Sequence, residues 1–288
     1  MSESSPTRRR FTWKLKNREI QLGDRTLIVG ILNITPDSFS DGGKYFDPDR
    51  AFAHALELEE QGADIIDIGA ESTRPGSVRV SEAEEKRRLM PVLKRLRGKL
   101  GIPISVDTYK AAVAENALEL GAEIVNDPTG LTFDPLLAKV ATKFDAGLIL
   151  NHMRGTPETW GKLPPVPDIA GTIRQDLDAC VHRARLAGLD RTRIVVDPGL
   201  GFGKRGEQNF EVLAQLESLA ALGLPLLVAP SRKLFLRQET EELTDAASAA
   251  AVVAAILGGA HLVRMHDVKV ARVAAGIADA VMRNRRPE

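Results

Sequence analysis

The sequence predicts a protein of the α/β class: a single (β/α)8 TIM barrel preceded by a short N-terminal β-hairpin. Eight short runs of β-forming apolar residues alternate with eight segments of helical periodicity. The first of these runs, Leu27 to Leu32, lacks period-two alternation, as expected of a strand buried on both faces in a parallel sheet. No linker-like change in composition divides the chain, so all the repeats belong to one domain.

The competing architecture for an alternating β/α chain is an open, doubly wound sheet. Such a sheet needs no closure and tolerates fewer repeats, so eight repeats favour the barrel. We expect residues 1–10 to form a disordered tail and residues 11–288 to form the barrel with its hairpin. Phe11 to Leu15 alternates apolar and polar residues, Asn17 and Arg18 supply a turn, and Glu19 to Leu22 returns. This hairpin is expected to plug the end of the barrel opposite the loops that follow the strands.

The eight predicted barrel strands are apolar, and most lead directly into polar residues. In chain order they cover 27–32, 65–69, 102–106, 123–125, 147–150, 193–196, 226–229 and 261–265. The predicted helices follow them at 48–61, 81–100, 110–120, 134–144, 168–187, 208–222, 244–257 and 267–282. Ser81 and Glu84 form a capping box that begins the second helix, and Gly62 and Gly121 end the first and third.

Composition restricts the classes of function. Lys+Arg and Asp+Glu each count 39, so the chain has no basic excess for a nucleic acid or an acidic membrane surface. Its one cysteine, Cys180, excludes an internal disulfide and fits a reducing compartment. No apolar run approaches the roughly 18–20 residues of a membrane span, and the N-terminal MSESSPTRRR is no secretory signal. We therefore expect a cytoplasmic protein with neither nucleic-acid nor membrane partners.

Polar side chains stand where the predicted strands end. The carboxyl ends of all strands of a parallel barrel share one face, so these side chains are expected to converge there. They are Asn33, Thr73, Arg74, Asp107, Asn126, Asp127, Asp197, Ser231, Lys233, Arg264 and His266.

This set divides into hydrogen-bond acceptors and cationic groups. Asp107, Asn126 and Asp197 are acceptors, suited to a ligand rich in N–H donors. Arg74, Lys233, Arg264 and His266 suit an anion. The neutral oxygen of Asn33 could join a hard cation already held by phosphates. A ligand that pairs with all of these carries a donor-rich heterocycle at one end and a phosphate group at the other.

Each residue also has a structural explanation when taken alone. Asp107 or Asp197 could cap a helix, Asn126 with the next residue could form a turn, and Lys233 could be a solvated loop charge. For His152 we favour a structural role. The functional interpretation depends on such groups following all eight strands.

A series of motifs resembles that of the dihydropteroate synthases. The motifs are ILNITPDSFSDGG, ESTRPGS, SVDT, ND, HM, DPGLGFGK, SRK and RMHDV, in this order from about residue 28 to 268. SVDT alone is weak, whereas the first motif together with ESTRPG and SRK…RMHDV is highly specific. The resemblance implies a folate-pathway transferase that condenses 6-hydroxymethyl-7,8-dihydropterin diphosphate with p-aminobenzoate and releases diphosphate.

The resemblance also implies residue roles, a cofactor and an assembly. The pterin diphosphate would be bound by Thr73, Asp107, Asn126, Asp197, Lys233, Arg264 and His266. Of these, the expected catalytic residues are Asp107, Lys233, Arg264 and His266. p-Aminobenzoate would be bound by Thr73, Arg74, Pro75, Phe202 and Ser231. Asn33 would complete a Mg²⁺ site, and two copies of the chain would form a homodimer through the last helices.

Several positions depart from the family pattern, namely Pro128, Leu200, Pro230 and Asn151, and two alternative functions stay open. Pro128 and Pro230 cannot donate a backbone N–H and have a fixed φ, so they could reshape the pocket floor and the Lys233 loop. One alternative is a non-catalytic paralogue that still binds pterins. The other is a pterin-dependent methyltransferase module, which has the same barrel but no use for a diphosphate site. The ESTRPG and SRK motifs count against the module.

Overall fold

The barrel prediction is confirmed by the order in which the strands pair. A computed structural model describes residues 8–35, 47–72 and 79–284. In its larger sheet of eight parallel strands, the first six pair in chain order, and the eighth pairs with both the first and the seventh. The two edge strands meet through a parallel bridge between Val196 and Leu226, so the sheet closes. The open, doubly wound alternative is therefore excluded.

The strands agree with the predicted ones to within two residues at each end. The hairpin strands are β1 Phe11–Lys14 and β2 Glu19–Leu22. The barrel strands are β3 Leu27–Asn33, β4 Ile65–Gly69, β5 Ile104–Asp107, β6 Ile124–Asp127, β7 Gly147–Asn151, β8 Ile194–Asp197, β9 Leu227–Val228 and β10 Leu262–Met265.

The helices cover the outside of the barrel. They are α1 Pro48–Glu60, α2 Glu82–Leu96, α3 Ala111–Glu119, α4 Leu136–Lys143, α5 Ile169–Leu186, α6 Gly206–Ala214, α7 Glu241–Leu257 and α8 Val268–Arg283. The predicted N-cap of α2 is confirmed, since the Ser81 side chain accepts a hydrogen bond from the Glu84 N–H at 3.2 Å. The reciprocal half of the capping box is not formed, because the Glu84 carboxylate accepts from Arg87 and Arg88 instead. In the described part of the chain, no helix combines the length and the apolar character needed to cross a membrane.

Three helix boundaries differ from the prediction by three residues or more. Helix α2 ends at Leu96, about four residues before its predicted end, and Gly98 follows with a φ of 68°. The predicted helix 208–222 is wrong as a single element, because α6 ends at Ala214 and Leu216–Leu222 continues as a 3-10 helix. Helix α7 begins three residues earlier than expected, because the Thr240 side chain caps it by accepting from the Leu243 N–H at 3.2 Å. Thr240 precedes two glutamates, and that first turn has no apolar periodicity to indicate a helix.

The apolar side chains of the strands form two layers. Those facing outward pack against the helices in the larger core cluster. Those facing inward form a second cluster that also contains Trp13, Leu15 and Leu22 of the hairpin region. The Trp13 indole N–H donates to the carbonyl of Arg193, just before β8 begins, at 2.9 Å. The hairpin thus plugs the N-terminal end of the barrel, as predicted, and functional groups are left to the other end.

The predicted tail is too long by at least one residue. Residues 1–7 lie outside the described residues, but Arg8 is buried at the same end of the barrel as the hairpin. Its guanidinium donates to the Ala260 carbonyl at 2.6 Å, to Thr26 at 2.9 Å and to Asp279 of α8 at 3.1 Å. From the sequence alone, three consecutive arginines are typical of a solvated tail. The acidic partner of Arg8 could not be identified from the local pattern, because Asp279 lies 271 residues away in the sequence.

Candidate active site

The interior of the barrel changes from apolar to polar toward the carboxyl ends of the strands. Side chains two residues apart on a strand point to the same face of the sheet. On five strands an apolar residue of the interior layer is followed two positions later by a polar one. The pairs are Ile65 and Asp67 on β4, Ile124 and Asn126 on β6, Ile149 and Asn151 on β7, Val195 and Asp197 on β8, and Leu262 and Arg264 on β10. Backbone pleating therefore collects these groups inside one mouth.

Arg264 is the centre of this polar layer. Its Nε donates to Asp67 Oδ2 at 2.5 Å, and its Nη2 donates to Asp107 Oδ2 at 2.8 Å. Asn126 donates from Nδ2 to the same Asp67 oxygen at 2.9 Å. Three of the predicted site residues are thus connected in one hydrogen-bonded group. This agrees with the prediction that the polar side chains at the strand ends lie close together.

Asp67 is a site residue that sequence reasoning missed. The sequence pattern places it within the apolar strand IIDIG. In the structure it is fully buried and accepts hydrogen bonds from both Arg264 and Asn126. A buried carboxylate is costly unless it is paired. A lone aspartate inside an otherwise apolar buried strand was the signal that could have identified it.

A second group surrounds Asp197 and Lys233. Asp197 is buried, and its Oδ1 accepts from the Gly199 N–H at 2.7 Å. The Lys233 ammonium lies 4.2 Å from the centre of the Phe202 ring, a cation–π contact. The end of β8, the glycine-rich stretch that follows it and the loop after β9 therefore bring an acceptor, an aromatic ring and a lysine to the same side of the mouth.

A third group joins Asn33, Ser231 and His266. Asn33 Nδ2 lies 3.2 Å from His266 Nε2, and His266 Nδ1 lies 2.8 Å from Ser231 Oγ. Ser231 Oγ also accepts from the backbone N–H of His266 at 3.1 Å. With Asn33 Nδ2 as the donor, its Oδ1 is left to accept or to coordinate, and the imidazole is held from both nitrogens.

The mouth is a cavity of about 920 Å³, within the range of small-molecule sites. Its lining includes Asn33, Asp107, Phe202, Ser231, Lys233, Arg264 and His266. Asn126 and Asp197 lie deeper and are only 7% and 4% exposed. Two of the three acceptors are therefore more deeply buried than the cationic groups, as an elongated ligand with two unlike ends requires.

Burial shifts the pKa of the ionisable groups in the mouth. Desolvation raises the pKa of Asp107 to about 7, with Arg264 opposing it and Asp67 adding to it. Desolvation also raises the pKa of Asp197 to about 6 and lowers the pKa of Lys233 to about 8. All three groups thus change charge near neutral pH, as is common for groups in active sites.

Among the predicted strand-end groups that the structure describes, Asp127 is not joined to these networks. Thr73 and Arg74, together with Pro75, lie outside the described residues. Asp127 accepts from the N–H groups of Thr129 and Leu131, which supports the turn explanation. His152, for which we favoured a structural role, is buried with Nε2 3.0 Å from Asp176 Oδ2.

The carbonyl groups of the two prolines that depart from the family pattern, Pro128 and Pro230, accept hydrogen bonds. Pro230 accepts from the Lys233 N–H at 3.3 Å, which closes the turn that carries the lysine. Pro128 accepts from Asn151 Nδ2 at 2.7 Å, which ties the β6 loop to the end of β7. Both contacts need only the carbonyl, so the lost N–H does not disturb them.

Comparison with known proteins assigns the family. The family model described as pterin binding enzyme matches residues 29–266. The chain is 45% identical over 265 residues to the dihydropteroate synthase of Synechocystis sp., covering 91% of this chain and 92% of that protein. The chain belongs to the dihydropteroate synthase family.

Solved structures of the dihydropteroate synthase family have the same fold over nearly the whole chain. A Clostridium difficile dihydropteroate synthase, solved in the presence of pteroic acid, is 44% identical with a TM-score of 0.84 and covers 90% of this chain and 98% of that one. A Xanthomonas albilineans dihydropteroate synthase in complex with 7,8-dihydropteroate is 36% identical with a TM-score of 0.83, covering 94% and 98%. The match therefore includes the barrel and the strand ends that form the mouth.

Proposed function

We propose that the chain catalyses the condensation of 6-hydroxymethyl-7,8-dihydropterin diphosphate with p-aminobenzoate, releasing diphosphate. The single observation that carries this proposal is the shared mouth, where Asp107, Asn126 and Asp197 stand beside Arg264 and Lys233. Membership of the dihydropteroate synthase family supports it. The same membership counts against a methyltransferase module, which needs no cationic diphosphate site.

The buried acceptors suit the pterin ring. A reduced pterin presents several N–H groups along one edge, and each must find an acceptor when it leaves water. Asp107, Asp197 and the amide oxygen of Asn126 are acceptors at the required depth. Arg264 is held by two carboxylates, so its flat guanidinium is fixed beside the ring position.

The outer cationic groups suit the diphosphate. His266 and Lys233 line the mouth with Ser231, which is hydrogen-bonded to His266 at 2.8 Å. Charge-assisted hydrogen bonds to phosphate oxygens are stronger than neutral ones. These groups would hold the diphosphate before reaction and stabilise the charge that it gains as it leaves.

Asn33 fits a Mg²⁺ ion that arrives with the diphosphate. In the described residues no group of three or more His, Cys, Asp or Glu could hold a metal ion by itself. Mg²⁺ often takes one or two protein oxygens, with substrate phosphates and water completing its shell. The contact of Asn33 Nδ2 with His266 leaves Oδ1 for that purpose. The bound ion would supply Lewis-acid stabilisation of the leaving group.

The protein contributes binding and electrostatics, and no covalent enzyme intermediate is needed. The bond between the pterin methylene carbon and the diphosphate oxygen breaks, and its electron pair leaves with the diphosphate. The electron-rich pterin disperses the positive charge on the methylene carbon. The amino nitrogen of p-aminobenzoate then forms the new C–N bond and releases a proton. Phe202 and Ser231 would help to hold the arylamine close, and Thr73, Arg74 and Pro75 stay predictions for that pocket.

We also propose that the active form is a homodimer assembled through α8. Val273, Ile277 and Val281 repeat every four residues on that helix, and each is about half exposed or more. Such a stripe on one helix face is typical of an interface. Ile277→Glu should yield monomers in sedimentation, whereas Leu186→Glu, at an exposed leucine of α5, should leave the dimer intact. A wild-type chain that sediments as a monomer would rule out the dimer.

A cytoplasmic location is part of the same proposal. The single cysteine, Cys180, is buried and forms no disulfide. Chains without disulfides are typical of reducing compartments. A fusion with a fluorescent protein that appears outside the cytoplasm would contradict this location.

A turnover assay with both substrates tests the function. We expect dihydropteroate and diphosphate in equal amounts, and a large loss of rate when EDTA removes Mg²⁺. Pterin binding without turnover would indicate the non-catalytic paralogue, and failure to rescue a folate auxotroph would agree with it. Methyl transfer without diphosphate release would indicate the methyltransferase module.

A further inference from the structure

Asp67 differs from the fully hydrogen-bonded buried carboxylates Asp127 and Asp279 because only one of its two oxygens has a partner. Its Oδ2 accepts two hydrogen bonds, from Arg264 Nε at 2.5 Å and Asn126 Nδ2 at 2.9 Å. Its Oδ1 is buried without a hydrogen-bond partner, alone among carboxylate oxygens in the described part of the chain. By contrast, Asp127 and Asp279 each use both oxygens, the first within a turn and the second with Arg8 and Thr26.

A half-bonded buried carboxylate is a poor way to stabilise a fold. An unsatisfied buried polar atom costs about 1–3 kcal/mol, and apolar residues often replace buried ion pairs without loss of stability. The neighbouring interior layer of the barrel is apolar, so apolar residues at positions 67, 126 and 264 together would continue its packing. The carboxylate is therefore better explained by what it does to its two partners.

The first partner is Asn126, whose amide can face either way. A carboxylate only accepts hydrogen bonds, so Asn126 must present Nδ2 to Asp67 and keep Oδ1 for other contacts. With Asp67 in place, Asn126 offers an acceptor to the ligand. Without it, nothing at this contact prevents the amide from turning and offering a donor instead.

The second partner is Arg264. Asp67 binds its Nε while Asp107 binds its Nη2, so two carboxylates hold one edge of the guanidinium. A single carboxylate would leave the group able to pivot. Because Arg264 donates to both Asp67 and Asp107, its positive charge is divided between the two carboxylates.

We propose that Asp67 is a positioning residue that fixes the amide orientation of Asn126 and the plane of Arg264 for recognition of the pterin ring. This inference rests on the proposed function, because it takes the pterin as the ligand of both partners. Asp67 acts through Asn126 and Arg264 and takes no part in the bond changes.

Asp67→Asn is the direct test, since it keeps the size of the side chain and removes its charge. We expect kcat/KM for the pterin diphosphate to fall about 100-fold, the loss typical of a misplaced binding group. The KM for p-aminobenzoate should change less than about twofold, because neither partner belongs to the expected arylamine pocket. Wild-type turnover tests the proposed function separately, so an inactive wild-type protein and an unaffected variant are distinct failures.

The pH profile gives a readout that a purely structural residue would not move. Around Asp107, burial, Asp67 and Glu85 raise its pKa, whereas Arg264 and Lys233 lower it. Removing the charge of Asp67 should therefore lower the pKa of Asp107 and move the acid limb of kcat/KM to lower pH. The matched control Asp279→Asn, a buried carboxylate in α8, should lower the melting temperature and leave the profile in place.

Asp67→Ala provides a second test by chemical rescue. Formate is a small carboxylate and can occupy the space of the deleted Asp67 carboxylate. We expect formate to restore at least about a tenth of the lost activity in Asp67→Ala and none in Asp279→Asn. An unchanged kcat/KM with an unmoved acid limb in Asp67→Asn would overturn the proposal. Failure of both Asp67 variants to fold would assign the residue to the stability of the barrel and overturn it as well.

Discussion

Asp197 stands deep in the mouth, and the backbone N–H of Gly199 donates to its carboxylate at 2.7 Å. Burial raises its pKa to about 6, because desolvation outweighs the hydrogen bond from Gly199 and the charge of Lys233. A ligand N–H would add a further hydrogen bond to the ionised form. At the scale of single residues, burial makes a hydrogen bond from a ligand favourable, because a buried acceptor has few water molecules to bond to.

Asp197→Ala should strongly weaken pterin binding. The substitution leaves ring N–H groups buried without an acceptor, at about 1–3 kcal/mol for each group, so the Kd should rise about tenfold to more than a hundredfold. Titration calorimetry with the pterin diphosphate measures this change. Pterin affinity equal to that of the wild type would remove Asp197 from the binding site.

The pH dependence of kcat/KM should be bell-shaped. Asp107 and Asp197 accept hydrogen bonds as anions, so activity should fall as the pH drops through about 7 and then about 6. Lys233 loses its charge above a pKa of about 8, so activity should also fall on the alkaline side. Lys233→Arg keeps its charge at high pH and should remove the alkaline limb, even if the rate at the optimum is lower. An alkaline limb that persists in Lys233→Arg would assign it to another group.

At the scale of elements, the conformation of the segment after β8 is determined by close contact between its backbone and the backbone after β7. Gly199 has a φ of 67°, and a Cβ at this position would lie 2.0 Å from the His152 carbonyl oxygen. The His152 N–H donates to the Asp197 carbonyl at 2.9 Å, so the ends of β7 and β8 meet here. Only glycine fits such a place, because any side chain would push the two strand ends apart.

Gly199→Ala should therefore lower both stability and pterin affinity. The left-handed conformation alone costs about 1–2 kcal/mol for a residue with a Cβ, and the clash adds to it. Urea unfolding and pterin titration measure the two effects. Gly206→Ala is the matched control, because no atom lies within 4 Å of its Cβ position and its φ is not positive. Equal losses in both variants would show that the contact with His152 is not the cause.

At the scale of the whole molecule, the barrel separates stability from function along its axis. The hairpin plugs the N-terminal end with Trp13, which is fully buried. The other tryptophan, Trp160, lies at the mouth, with its ring 5.4 Å from that of Phe202. The chain has only these two tryptophans, so each one reports on one end of the barrel.

Trp13→Ala should destabilise the fold by about 3–5 kcal/mol, the usual cost of deleting a buried tryptophan. Below the unfolding transition, kcat/KM should stay within about twofold of the wild type, because the mouth is at the opposite end. Trp160→Ala should have the reverse pattern, with a raised KM for p-aminobenzoate through loss of the support to Phe202. Denaturant midpoints and steady-state kinetics check both variants. A large fall in kcat/KM for Trp13→Ala would show that the two ends are coupled.

The sequence by itself determined the barrel, its hairpin and most of the strand-end groups. Apolar runs, helical periodicity and turn residues are local signals, and a parallel barrel brings every strand end to one face. The family motifs added roles for these residues, because the motifs coincide with the strand ends.

Tertiary structure decided what depends on contacts between distant residues. Asp67 reads as part of an apolar strand until Arg264, 197 residues later, is seen to bind it. Arg8 reads as part of a tail until its partners Thr26, Ala260 and Asp279 are in place. The pKa values of Asp107 and Asp197 are likewise set by burial, which no local pattern measures. The physical reason is the same in each case: desolvation and pairing depend on the packed barrel, not on neighbours in the chain.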